Sequence, residues 1–180
     1  AIFIKCVSPG SVLFRQERVG YRGRRFVCLK FRTMTEGAST AQHEEHCRRL
    51  MEAGLPMTKL DDQADRRIIP LGRFLRSLGL DELPQLINVL KGDMSIVGPR
   101  PEREHFINTM KDTIDKYLER HRVKSGITGW AQVNGLRGTD TPLQTRIEYD
   151  IYYIENWSLV FDIKIIIKTI REMFFSKTAF

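Results

Sequence analysis

Glycine and proline cut this chain into short pieces, and that punctuation limits what it can fold into more than any other feature. Gly20 and Gly23, Gly54 and Pro56, Gly79, Gly92 and the Gly98-Pro-Arg-Pro101 run all interrupt the first hundred residues, and a second glycine-rich stretch runs from Gly126 to Gly138. Only 103–122 and 142–175 leave room for a long helix. The chain shows no internal repeat, low-complexity tract or interdomain linker, and the pattern predicts one mixed domain of short elements.

Within those limits, residues 11–19 and 25–33 are rich in Val, Phe, Leu and Arg around Gly20-Tyr-Arg-Gly23, which predicts a β-hairpin whose turn uses glycine's tolerance of positive φ. A polar helix is expected over 41–53, then a loop carrying Asp61, Asp62 and Asp65. Residues 71–78 read as a short amphipathic segment and Leu83 to Lys91 as a helix stopped by Gly92. Gly98-Pro-Arg-Pro101 reads as a rigid extended turn, because two prolines fix their own φ and restrict the residues before them. The longest ordinary helix is expected over 103–122, with Phe106, Ile107, Met110, Ile114, Tyr117 and Leu118 along one side, and another over 142–155. The expected fold class is α+β: one mostly helical domain over residues 1–180, with a short N-terminal hairpin and interfacial amphipathic helices.

The final segment, Ser158 to Phe175, places Lys164, Lys168, Arg171 and Glu172 within about a 100° wedge, and nearly everything else on it is apolar. A core helix with one wet edge and a helix lying in a membrane interface both fit that pattern. No run of eighteen apolar residues occurs, and no signal peptide is recognisable.

Charge narrows the partners. The chain's net +7 lies entirely in residues 1–34, where eight basic groups face the single acid Glu17, while the remaining 146 residues balance. Such a field attracts anions: nucleic-acid backbone, acidic lipid or the phosphates of a small substrate. A solvated basic surface would also account for it. Three scattered cysteines (Cys6, Cys28, Cys47) without a CxxC form neither a disulfide framework nor a zinc ribbon and fit a reducing compartment.

Among sites that could carry chemistry, GxGxxG, Walker and GxSxG signatures are absent. His43-Glu-Glu-His46 has the wrong spacing for a zincin helix and reads as plain surface. The informative string is Arg73-Phe-Leu-Arg76-Ser-Leu-Gly-Leu-Asp81-Glu82-Leu-Pro84. One reading makes Asp81 an ordinary helix N-cap with Glu82 in the first turn. Pro84 weakens it, because at the third helical position it lacks an N–H and removes one of the cap's usual donors. The other reading places a carboxylate pair near Arg76 at a helix N-terminus, where phosphate docks and where Mg²⁺, content with one or two protein oxygens, could sit. Composition and spacing leave both open.

Six ordered strings close the gap: Phe14-Arg-Gln-Glu-Arg-Val-Gly20, Lys30-Phe-Arg-Thr-Met34, Leu80-Asp-Glu-Leu-Pro-Gln-Leu86, Gly92-Asp-Met-Ser-Ile-Val-Gly-Pro-Arg-Pro101, Gly126-Ile-Thr-Gly-Trp-Ala-Gln-Val-Asn-Gly135 and Tyr149-Asp-Ile-Tyr-Tyr153. Together they resemble the bacterial sugar transferase family, the monotopic polyprenyl-phosphate phosphoglycosyl transferases, from about Val12 to Phe175. Tyr153-Ile-Glu-Asn-Trp-Ser158 and Arg120-His-Arg-Val resemble most the undecaprenyl-phosphate glucose-phosphate transferase branch. Ser125 stands where the family usually has Pro, and Gly79 where Ser is commoner. The family's re-entrant membrane helix is represented by Ala1 to Ile4 at most, so the chain reads as a catalytic portion.

The resemblance implies transfer of a sugar 1-phosphate from a UDP-sugar to a polyprenyl phosphate with release of UMP, the first membrane step of exopolysaccharide or O-antigen (lipopolysaccharide) synthesis. It implies Asp81 as nucleophile through an aspartyl phosphosugar intermediate and Glu82 as the ligand of Mg²⁺. It also implies Arg76, Arg100, Lys30 and Asp150 as substrate-binding groups. The implied setting is the cytoplasmic face of the bacterial inner membrane, against an anionic surface, with no nucleic acid and with oligomeric state left open. The competing readings are a basic nucleic-acid-binding module using Phe14, Tyr21 and Phe26 for stacking, and a catalytically silent membrane adaptor of the same fold.

Overall fold

The computed structural model describes residues 1–37, 67–112, 114–136 and 143–175. The helix expected over 41–53, the acidic run at Asp61, Asp62 and Asp65, and the His43/His46 pair lie outside them. The architecture is α+β as the sequence predicts: helices around two separate two-stranded sheets.

A short helix, α1 (Ile2–Val7), leads into the hairpin of β1 (Leu13–Val19) and β2 (Arg25–Phe31), antiparallel with Leu13 opposite Phe31 and Val19 opposite Arg25. The turn takes positive φ at Gly23 and also at Arg22, whereas Gly20 keeps an ordinary φ and serves instead as room for the Phe26 ring. Beyond β2 the buried Arg32 guanidinium donates to the Ser8 and Ser11 carbonyls and to the Ser8 hydroxyl, fastening the end of α1 to the hairpin. Next come α2 (Gly72–Ser77), a 3-10 turn at Leu80–Glu82 and α3 (Gln85–Leu90).

The second sheet departs from expectation. Ser95–Val97 (β3) pairs in parallel with Gly126–Thr128 (β4), joining two stretches for which the sequence predicts no strand. Their glycines allow the approach: a Cβ on Gly126 would lie 2.1 Å from the Gly98 nitrogen, and one on Gly98 would lie 2.4 Å from the Lys124 carbonyl oxygen.

The helix expected over 103–122 is broken. Helix α4 (Glu104–Met110) ends early, Lys116 takes a left-handed conformation, and a 3-10 stretch covers Tyr117–Arg122. The apolar periodicity is real, since Phe106, Ile107, Met110 and Tyr117 are all buried. A continuous helix would also have presented Leu118 to the core, yet it is exposed, while Arg120 is buried against the Asp150 carboxylate. Tertiary pairing of a charge outweighs local propensity here.

Two helices close the fold. Ile147 and Tyr153 on α5 (Leu143–Glu155) enter two different core clusters, one with Val19, Phe106 and Tyr117, the other with Val97, Val133 and Ile165. The last helix, α6 (Leu159–Phe175), buries Ile165 completely and joins β4 through Thr169 and Thr128 at 2.6 Å. Two lysines of its basic strip reach the Trp130 ring, Lys164 at 5.5 Å and Lys168 at 4.7 Å, while Val160, Ile163, Ile167 and Ile170 are exposed. No described helix is long and apolar enough to cross a membrane.

The close approach at the second sheet makes a test. Gly126→Ala should destabilise the protein by about 3 kcal/mol, because the added methyl meets backbone rather than a yielding side chain, and thermal unfolding measures it.

Candidate active site

The strand β2, the 3-10 turn at Leu80–Glu82 and the Pro99-Arg100-Pro101 turn meet at one carboxylate. Glu82 Oε1 accepts from Lys30 Nζ at 2.6 Å and from Arg100 Nη2 at 2.7 Å, while Oε2 has only a long 3.4 Å contact with Arg100 Nη1. The Glu82 side chain is 10% exposed. Burial alone would raise its pKa, but Arg100 and Lys30 outweigh that and hold the carboxyl well below the usual carboxylate range. Arg100 in turn is shifted upward by the Glu82 charge.

Local sequence explains how the pair gets there. Gly79 ends α2 with a left-handed residue, which lets the chain reverse into the Leu80–Glu82 turn. Pro84 then caps α3 itself, its missing N–H costing nothing at that position. Asp81 is therefore not the N-cap of that helix, and it makes no capping hydrogen bond. Its carboxyl is half-buried with no ion pair or hydrogen bond among the described residues, and burial raises its pKa against the pull of Lys30, Arg76 and Arg100. The adjacent acids thus sit in opposite states: Glu82 neutralised by two cations, Asp81 unpartnered in the same positive field.

Arg76 reaches the site's flank, where its Nε donates to Thr33 Oγ1 at 2.8 Å. Of the six residues singled out in the sequence, the structure brings Asp81, Glu82, Lys30, Arg76 and Arg100 together. Asp150 stands apart from the substrate-binding position expected for it. It is 3% exposed and accepts from Arg120 Nη2 at 2.7 Å, while Arg146, its neighbour one turn away, bonds Glu102 instead. That carboxylate is enclosed with Arg120 rather than with Asp81 and Glu82.

Sequence reasoning missed Asn88. It is 1% exposed, accepts from the Leu29 N–H at 3.0 Å and donates to the Val27 carbonyl at 2.8 Å, so its amide occupies the free edge of β2 where a third strand would lie. That pins α3 to the strand carrying Lys30. The signal was an Asn inside the apolar run Leu86-Ile-Asn-Val-Leu90. Arg120 was also missed, for want of any local signal.

As a test of metal fit, no group of three or more His, Cys, Asp or Glu side chains gathers among the described residues. Two adjacent carboxylates, one unpartnered and one with an oxygen only weakly engaged, nevertheless match the one or two protein oxygens that Mg²⁺ takes when substrate phosphate and water complete its shell.

Comparison with known proteins agrees with the geometry. Residues 1–176 match the family model described as bacterial sugar transferase. A UDP-glucose:undecaprenyl-phosphate glucose-1-phosphate transferase of Xanthomonas campestris pv. campestris is 45% identical over the whole of this chain and 35% of its own length. A UDP-N-acetylgalactosamine-undecaprenyl-phosphate N-acetylgalactosaminephosphotransferase of Aeromonas hydrophila is 42% identical over 95% of this chain and 37% of its own. A UDP-glucose:undecaprenyl-phosphate glucose-1-phosphate transferase of Caulobacter vibrioides is 43% identical over all of this chain and 63% of its own. The chain thus spans about a third of the first two relatives and under two thirds of the third.

Glu82→Gln should lower stability by about 2 kcal/mol at pH 7, since it leaves two cations facing an uncharged group that water screens only in part. Because the folded pKa is depressed, the wild-type advantage is present above the unfolded pKa and fades below about pH 4. Denaturant titrations of both proteins at pH 7 and pH 3 should show the gap narrowing.

Proposed function

This chain belongs to the bacterial sugar transferase family, and on that premise we propose that it transfers a sugar 1-phosphate from a UDP-sugar to undecaprenyl phosphate, with UDP-glucose the first donor to try. The observation that carries the reading is the unpartnered Asp81 carboxylate set beside a Glu82 already neutralised by Lys30 and Arg100. A phosphoryl transfer between anions needs both a nucleophile and an excess of positive charge around it.

In this mechanism an Asp81 oxygen attacks the phosphorus that bears the sugar. The bond from that phosphorus to the bridging oxygen breaks, and UMP leaves with the electron pair. The terminal phosphate oxygen of the polyprenyl phosphate then attacks the same phosphorus, expelling the Asp81 carboxylate and giving a polyprenyl diphosphate sugar. Lys30, Arg76 and Arg100 grip the phosphates, and Arg100 and Lys30 keep Glu82 ionised throughout. Glu82 would hold Mg²⁺, which neutralises phosphate charge when bound.

The same proposal puts the protein at the cytoplasmic face of the inner membrane. Of the eight basic groups in residues 1–34, Arg18, Lys30 and Arg32 are used inside the fold and Arg25 pairs with Glu104 at the surface, while Lys5, Arg15, Arg22 and Arg24 are exposed and available to anionic lipid. The exposed apolar residues of α6, with Phe74 of α2 and Leu86 and Leu90 of α3, supply surface for a lipid interface.

With UDP-sugar and Mg²⁺ but no lipid acceptor, the protein should release about one UMP per chain and carry a sugar-phosphate mass adduct on Asp81, read by quenched mass spectrometry. Retained activity without any adduct would establish direct transfer instead. Asp81→Asn should cut UMP release by roughly 10³-fold or more while UDP-sugar still binds. Because burial raises the Asp81 pKa and the nucleophile must be ionised, activity should climb with pH along an acid limb centred above the ordinary value of about 3.9. A pH–rate profile measures that limb.

A further inference from the structure

The prolines set φ on either side of Arg100, and the turn's place in the fold is set through its carbonyls. Pro99 and Pro101 have no N–H to give, and every carbonyl from Pro99 to Glu102 is held by a donor from elsewhere in the chain. Pro99 O accepts from Gly126 N at 3.0 Å, Arg100 O from Arg120 Nη2 at 2.9 Å, Pro101 O from Arg18 Nη1 at 3.1 Å and Glu102 O from Val19 N at 2.9 Å. Two of these donors are guanidiniums. Arg120 is the more committed, with a side chain 2% exposed, Nη2 shared between Asp150 at 2.7 Å and the Arg100 carbonyl, and Nη1 3.7 Å from Glu102. Its Nη1 also donates to the Tyr117 hydroxyl at 3.4 Å, and its Nε is buried with no partner among the described residues. A buried guanidinium that leaves one N–H unmet keeps its other contacts against a real penalty.

We propose that Arg120 and Asp150 are positioning residues for the transfer reaction: Asp150 orients the Arg120 guanidinium, Arg120 holds the backbone carbonyl of Arg100, and the Arg100 side chain is thereby aimed at Glu82. Asp150 acts through Arg120, outside reach of any substrate. Removing this pair lets the Pro-Arg-Pro turn relax, and a phosphate-binding group displaced by about 1 Å can cost about 10² in rate. The consequence for rate rests on the reading of Asp81 and Glu82 as a phosphoryl-transfer centre; the geometric claim does not.

The experiment uses the 180-residue chain and two readouts. The first is the arginine side-chain NMR spectrum, independent of activity. Wild type should give resolved, slowly exchanging Nη protons for Arg100 and Arg120, as expected of two held guanidiniums. In Arg120→Lys, whose single ammonium cannot serve Asp150 and the Arg100 carbonyl together, the Arg100 signals should collapse to an averaged one. In Ile147→Val, a core change in the same cluster, they should stay as in wild type. The second readout is UMP release. Arg120→Lys should lower it about 10²-fold, but in an Arg100→Lys background the further loss should be under about threefold, since both changes then act on one contact. Unaltered Arg100 signals in folded Arg120→Lys, or fully additive losses, would overturn the proposal. Should Arg120→Lys not fold, Asp150→Asn carries the same expectations, and freely rotating Arg120 Nη protons in wild type would by themselves refute it. If wild type releases no UMP while the Arg100 signals respond as described, the reaction reading fails and the positioning inference stands.

Discussion

Glu82 is where the fold is tied together. Lys30 lies 52 residues before it and Arg100 lies 18 after, and both meet the same carboxylate oxygen. The hairpin also meets the Pro-Arg-Pro turn through Arg18 and Val19, and Glu82 brings the Leu80–Glu82 turn to both. It also divides the labour between two adjacent acids. A carboxylate held by two charged donors is a poor nucleophile and a good anchor. With Glu82 absorbing the nearest cations, Asp81 has no partner among the described residues, in a field that still favours an approaching phosphate.

Much of this was legible in the chain, and the failures have a common cause. The hairpin, the short segments on either side of Leu80 and both C-terminal helices follow from periodicity and glycine placement, which are local. The parallel pairing of Ser95–Val97 with Gly126–Thr128 was not legible, because each strand is three residues long and the partner lies 31 residues away. The break after Met110 was hidden for a similar reason: Arg120, on the stretch that follows it, is buried against Asp150, thirty residues further on. Asp81 also reads as a helix cap in the sequence, but Pro84 takes that place in the fold. Asp150 was assigned by resemblance and lies in a different charge cluster, which no motif could have revealed.

That second cluster changes the meaning of the chain's charge asymmetry. Eight basic groups at the N-terminus suggest a surface field, but Arg18 and Lys30 are committed to Glu102 and Glu82, and Arg32 to the end of α1. The cations that shape the interior and the cations that face outward come from one stretch of sequence. Net charge alone cannot separate them, and burial can.

The two clusters share the Pro99–Glu102 segment, and this sharing has a physical consequence. Arg100 sends its side chain to Glu82 and its carbonyl to Arg120, while Glu102 takes Arg146 and approaches Arg18 and Arg120. A buried ion pair is weak evidence for stability, because desolvation offsets most of the attraction. An interior with two such clusters is therefore better explained by what they fix than by what they stabilise. They fix the direction of one guanidinium, on a turn whose prolines cannot fix it themselves. The apolar contacts of Phe106, Tyr117 and Ile147 could hold the helices in place without any of these charges, but they could not set where a charged side chain points.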